Sequence, residues 1–132
     1  MGFLRPEVFE KGLERPMRIG DGFLGNPLIT TDATAGARTL TVPAVLGGIA
    51  QFTGAAGAVA YTLPLATDLI AAMPDMDIGD SYTFAIQNTA AQVATVTTNT
   101  GITLTGNVTI NAATKFVVLT KTSSTTMNAC VL

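Results

Sequence analysis

The chain of 132 residues contains no histidine and a single cysteine, Cys130. Without histidine, imidazole catalysis and Cys/His metal sites are excluded, and one cysteine excludes an intrachain disulfide. Charged residues make up only 12% of the chain and the formal net charge is -2, so the broad basic surface that non-specific nucleic-acid binding requires is also missing. The sequence therefore predicts no nucleic-acid partner.

Long apolar runs are missing as well. No stretch approaches the eighteen or so consecutive apolar residues of a transmembrane helix, so we expect no membrane partner. The first twenty residues lack the apolar segment of a secretory signal. These features predict a soluble protein that works where it is made, or in a particle assembled there.

Charge is distributed unevenly along the chain. Half of the charged residues lie in the first 21 positions, whereas the stretch from Ser81 to Thr114 contains none. The segment from Gly20 to Pro27 is rich in glycine and proline, which interrupt regular structure. We therefore divide the chain into an N-terminal arm, residues 1–28, and a domain, residues 29–132.

The arm carries large apolar side chains that it cannot bury against itself, because prolines and glycines interrupt every helical period. Two interpretations remain: the arm folds back over its own domain, or it lies across a neighbouring protein. The second interpretation assigns the contact to apolar and arginine side chains near the N-terminus. These are Phe3, Leu4, Arg5, Val8, Phe9, Leu13, Arg15, Met17 and Arg18.

The domain is predicted to be all-β, an antiparallel β-sandwich or jelly roll with one short connector helix. Short runs rich in Thr, Val, Ile, Phe and Tyr recur at eight- to twelve-residue spacing, with turn residues between them. The predicted strands are 39–42, 49–52, 58–63, 81–88, 92–98, 101–104, 108–110, 115–120 and 127–132. The helix is predicted over residues 67–73, with Thr67 as its cap and Pro74 after its end.

Few residues are candidates for a catalytic or metal-binding role. Asp75, Asp77 and Asp80 form either a structural loop or a weak cation site, and their spacing does not match an EF-hand. A hydroxyl nucleophile could find a base only in Lys115 or Lys121. A glycan hydrolase would need a carboxylate pair from this cluster or Asp68, with no second motif to place a substrate.

Cys130 lies in a terminal apolar strand and is expected to be a small buried side chain, and Tyr61 and Tyr82 to be core or interface residues. We predict no catalytic residue, no metal, no cofactor and no small-molecule substrate.

Four segments carry a resemblance to known proteins: Tyr61–Pro74, with its Leu-Pro pair and short helix; Asp77–Thr89, ending in Phe-Ala-Ile-Gln-Asn-Thr; Gly101–Asn107; and Lys115–Thr120. Together they resemble the small β-sandwich modules of tailed-phage virion proteins, in particular capsid decoration (cement) proteins. The resemblance spans residues 38–132. It implies a jelly-roll-like subunit, commonly trimeric, that binds the outer capsid and has no catalytic residues.

The sequence therefore predicts a structural virion protein on the capsid surface, assembled in the cytoplasm of the bacterial host, with the major capsid protein as its partner. A homotrimer is expected because the uncharged stretch Ser81–Thr114 can pack against copies of itself without desolvating charge. The arm would then connect adjacent capsid subunits. The alternative is a binding module of a tail fibre or baseplate that recognises a host glycan or protein.

Overall fold

The computed structural model describes residues 28–54 and 56–132, and these residues form ten β-strands and two short helices. The strands are β1 (Leu28–Asp32), β2 (Gly36–Thr39), β3 (Gly48–Phe52), β4 (Val59–Thr62), β5 (Ser81–Asn88), β6 (Val93–Thr97), β7 (Ile102–Gly106), β8 (Thr109–Asn111), β9 (Thr114–Lys121) and β10 (Met127–Val131). The helices are α1 (Val42–Leu46) and α2 (Ala66–Ala72). The chain is mostly β with little helix, as its composition predicts.

The chain alternates between two sheets as it proceeds. A six-stranded sheet has the order β1-β3-β5-β9-β10-β7, and a four-stranded sheet has the order β2-β4-β6-β8. From β3 to β6 each strand therefore lies beside the strand two positions earlier in the chain. This arrangement makes three successive turns of a coil, in which each turn contributes one strand to each sheet.

The predicted antiparallel pairing is wrong for most of the fold. Five of the eight strand pairs are parallel, namely β1–β3, β3–β5, β2–β4, β4–β6 and β7–β10. Only β5–β9, β9–β10 and β6–β8 are antiparallel. Alternation of apolar and polar residues reports that one face of a strand is buried, not the direction of its neighbour. Because the coil returns to each sheet by way of the other sheet, its neighbouring strands run in the same direction.

The two sheets share one hydrophobic core. Phe52 of the six-stranded sheet contacts Tyr61 of the four-stranded sheet edge to face, with ring centroids 6.1 Å apart. Tyr61 and Tyr82 are both buried, as predicted. On β9, Val117 and Leu119 are fully buried and their neighbours are not, which fixes the inward side of the strand. Burial of such side chains stabilises the fold by about 1.5–3 kcal/mol each.

Of the two helices, α2 occupies the predicted position but does not have the predicted cap. It begins after Leu65, without a side-chain cap, and Thr67 lies inside its first turn. It buries Ala66 and Leu69 against the core, which fixes it without a capping hydroxyl.

Helix α1 replaces the end of a strand predicted over residues 39–42. The hydroxyl of Thr41 accepts a hydrogen bond from the Ala44 amide at 3.2 Å, and Pro43 lies in the first turn of the helix. Both features favour a helix start over a strand. The observed strand of this region, β2, shares only Thr39 with the predicted one, and strand β1 is a further element that the sequence pattern did not predict.

Two residues of the segments that carry the resemblance, Asn88 and Gly101, hold connections between strands in place. Asn88, at the end of β5, is 2% exposed, and its amide donates to the carbonyls of Gln92 at 2.7 Å and Ile110 at 2.9 Å while its oxygen accepts from the Ala90 amide. Gly101 has φ +84° in the turn before β7, and a side chain there would collide with Ala66. These contacts give the asparagine and the glycine of these segments a structural role.

Candidate interaction surface

The outer face of the six-stranded sheet carries a line of apolar side chains. Since Val117 and Leu119 point inward on β9, Phe116 points outward. The register pairs Ile29 with Ile49, Ile49 with Ala85, and Ala85 with Phe116, and the Leu132 amide donates to the Phe116 carbonyl at 2.9 Å. Neighbouring partners share a face of the sheet, so these side chains follow one another across it. We call this line the apolar row: Ile29, Ile49, Ala85, Phe116 and Leu132.

Three members of the apolar row are strongly exposed. Ile29 is 52% exposed, Phe116 is 50% exposed and Leu132 is 65% exposed, and between Ile29 and Phe116 lie the half-buried Ile49 and the small Ala85, which is 7% exposed. Exposed apolar residues that occur singly are ordinary, whereas a contiguous set is typical of an interaction surface. The row therefore marks the outer face as a candidate contact surface.

The rest of the outer face is uncharged. Its outward positions on the described strands are occupied by Thr31, Gln51, Ser81, Thr83, Gln87, Thr103, Thr105, Thr114, Val118, Thr120, Asn128 and Cys130. The polar side chains bond to one another along the sheet: Gln51 donates to Gln87 at 2.6 Å, Thr31 donates to Gln51 at 3.3 Å, and the hydroxyls of Ser81 and Thr120 are 2.8 Å apart. Covering this face would leave fewer polar groups without partners than covering a charged surface.

The first turn of the coil, β1 and β2, is built differently. Asp32 pairs in register with the buried Phe52, and Arg38 with the buried Tyr61, so both charged side chains lie on the inward side of their strands. The Arg38 Nε donates to the Asp32 carboxylate at 3.0 Å. Natural sheets protect open edges with inward-pointing charges of this kind. The end of the coil is therefore a poor surface for the addition of another strand.

At this end of the coil, local contacts shift the pKa values of Asp32 and Tyr61. Burial raises the pKa of Asp32, but the hydrogen bond from the Thr34 amide and the nearby Arg38 outweigh it, so the pKa lies below its usual value. Burial and the Asp32 carboxylate, to which the Tyr61 hydroxyl donates at 3.4 Å, raise the pKa of Tyr61. Asp32 is thus ionised and Tyr61 is neutral at neutral pH.

The structure describes only some of the residues that the sequence predicts as contacts. Phe3, Leu4, Arg5, Val8, Phe9, Leu13, Arg15, Met17 and Arg18 all lie outside the described residues. From the uncharged stretch, Thr83 and Ala85 of β5 and Thr103 and Thr105 of β7 face outward on the six-stranded sheet.

Sequence reasoning missed the apolar row, because its members come from five separate segments and only the strand register brings them together. The expectation for Cys130 is wrong. It is half-buried on the outer face, since Ala129 and Val131 occupy the inward positions of β10.

The acidic cluster lies in the connection before β5. The Asp80 carboxylate accepts a hydrogen bond from the Asp77 amide at 2.9 Å, and all three aspartates are exposed. Within residues 28–54 and 56–132, no group of three potential metal ligands converges. The ammonium groups of Lys115 and Lys121 donate to the carbonyls of Asn107 and Met76. The visible contacts of the cluster and of both lysines thus hold loops in place.

No helix among the described residues has the length and apolar character needed to cross a membrane. Comparison of the chain with protein-family models, with curated proteins and with solved structures found no match.

Proposed function

We propose that this chain is a structural protein of a tailed-phage virion that binds the outer surface of the capsid as a homotrimer. The observation that carries the homotrimer is the uncharged outer face with its apolar row, whereas the capsid as the site of action is supported by the resemblance of residues 38–132 to decoration proteins. A face of this composition suits permanent contact with protein, because association removes apolar surface from water without desolvating charge. In this proposal the protein has no enzymatic activity, needs no cofactor, and reaches the capsid surface after assembly in the host cytoplasm.

For the finer fold we propose a two-layer β-sandwich. Inward side chains from both sheets belong to one core cluster, and the Phe52–Tyr61 contact bridges the sheets. A jelly roll consists of antiparallel Greek keys, and the parallel pairs β1–β3–β5 and β2–β4–β6 do not fit that connectivity.

The arm, residues 1–28, supplies the second part of the proposed mechanism. Burying about six of its large apolar side chains on the shell would yield roughly 9–18 kcal/mol at about 1.5–3 kcal/mol each. Ordering each residue of the arm costs about 1–2 kcal/mol, so a single arm binds weakly. Three arms on one trimer bind more tightly, because the first contact raises the effective concentration of the other two.

Capsids stripped of this protein provide the test of attachment. We expect the full chain to bind them. A truncated chain that lacks residues 1–24 should remain a homotrimer but lose attachment. A synthetic peptide of residues 1–24 serves as the matched control and should bind only feebly. If the truncated chain attaches as well as the full chain, the arm does not mediate attachment. Binding to a host surface glycan in place of capsids would favour the fibre or baseplate alternative.

A further inference from the structure

We infer that the outer face of the six-stranded sheet is the contact between copies of this chain, with the apolar row at its centre. The inference rests on the proposed homotrimer and assigns it a surface: the occupant of the face is a second copy, and the capsid protein binds elsewhere.

The first argument is electrostatic. A surface that selects a different protein commonly does so by complementary charge, which also suppresses the binding of identical copies. The outward positions of the described strands carry no charge of either sign, so two copies of this face do not repel each other. The polar side chains already bond along the sheet, as in the pairs Gln51–Gln87 and Ser81–Thr120, and they lose little when another copy covers them.

The second argument is the shape of the apolar row. Bulky residues lie on both sides of Ala85, with Ile29 and Ile49 on one side and Phe116 and Leu132 on the other. Rows from different copies can therefore contact each other through their large side chains, or a large side chain of one copy can lie beside Ala85 of another. In a closed trimer each copy contacts the next head to tail, so the half of the face with Ile29 and Ile49 would meet the half with Phe116 and Leu132 of the neighbouring copy.

The third argument is area. Six strands at about 4.8 Å spacing span about 29 Å, and five residues at about 3.3 Å span about 17 Å, which gives roughly 490 Å² in projection per copy. Three such faces in a trimer bring together roughly 1,500 Å² in projection, an amount of surface typical of specific protein contacts. The end of the coil offers no comparable surface, because the inward Asp32–Arg38 pair protects its strand edge.

The test compares the full chain with two variants that place a charge in the apolar row, Phe116→Lys and Leu132→Lys. Both positions are at least half exposed, so the fold of one subunit should tolerate lysine there. Val93→Lys is the matched control, because Val93 is an exposed apolar strand residue of the four-stranded sheet. Light scattering should give the wild-type mass for the control and a dissociation constant raised roughly 100-fold for each row variant.

Cys130 provides a second readout, since it lies on the outer face and is the only thiol of the chain. A maleimide should label it slowly in the wild-type oligomer and faster in both row variants. Row variants that keep the wild-type mass, or rapid labelling of the intact oligomer, would overturn the inference.

Attachment to stripped capsids, measured on the same samples, separates this inference from the proposed function. Row variants that stay oligomeric but lose attachment would show that the face binds the shell, which contradicts the inference and leaves the virion role standing. A wild-type chain that is monomeric would contradict both the inference and the proposed homotrimer.

Discussion

The two faces of the six-stranded sheet are made from the same strands, yet their side chains differ in kind. On β9 the inward residues Val117 and Leu119 are completely buried, whereas the outward residues Phe116 and Val118 remain partly open to solvent. The inner face excludes water within one chain. The outer face is uncharged, and its apolar row is shielded from water only if another molecule covers it. The comparison indicates that the inner face determines stability, and the outer face is the one to which we assign the contact in the proposed trimer.

The largest expected effect is on the inner face. Leu119→Ala should lower the free energy of unfolding by about 2–5 kcal/mol, because it leaves a cavity in a fully buried position. Val118→Ala, its outward neighbour on the same strand, is the control and should cost less than about 1 kcal/mol within a single subunit. Chemical denaturation of both variants measures the difference. Equal losses would show that the two faces are not distinct in energy.

A smaller loss is expected from the buried polar group of the inner face. Asn88→Leu removes the partner of the Gln92 and Ile110 carbonyls and of the Ala90 amide, all at 2.7–2.9 Å. Leaving such groups unsatisfied costs about 1–3 kcal/mol. Exchange of the Ala90 amide hydrogen should accelerate in the same variant. Thr89→Val is the adjacent control, because Thr89 is exposed, although its hydroxyl also donates to the Phe52 carbonyl. If Asn88→Leu is as stable as the wild type, the hydrogen bonds of Asn88 do not stabilise the fold.

The smallest effect is expected where the inner face reaches the end of the coil. Arg38→Met should cost about 0.2–1 kcal/mol, since the pair with Asp32 is partly exposed. The pKa of Asp32 is lowered in the folded protein, so the pair stabilises the fold above the ordinary carboxyl pKa of 3.8 and this stability is lost as the pH falls through the lower folded value. Acid unfolding of the wild type should show this loss, and Arg38→Met should show less of it. An unchanged acid profile would mean that Arg38 does not hold Asp32 ionised.

The sequence was a good guide to where the strands are. The strand over 81–88 was predicted at its observed bounds, and most others within one or two residues, because alternation and turn residues are local signals. Strand β1 escaped prediction because it is an exposed edge strand without alternating burial, and the start of α1 escaped because residues 39–42 form a run of strand-forming residues.

The pairing of the strands and the candidate surface could not be predicted in the same way. Whether β3 lies beside β5 in parallel depends on the path of the chain through the other sheet, and no local pattern encodes that path. The apolar row depends on the register across β1, β3, β5 and β9. Phe116 could have been placed on the outer face, since it alternates with Val117, but its row partners could not.

The mass of the full-length protein in solution tests the central claim most directly. Light scattering over a micromolar concentration series should give three times the chain mass of 13.6 kDa, because in the proposed trimer head-to-tail contacts of the outer faces close after three copies and cover the apolar row. A mass of 13.6 kDa throughout the series would contradict the account, since the outer face would then remain open to solvent in the working protein.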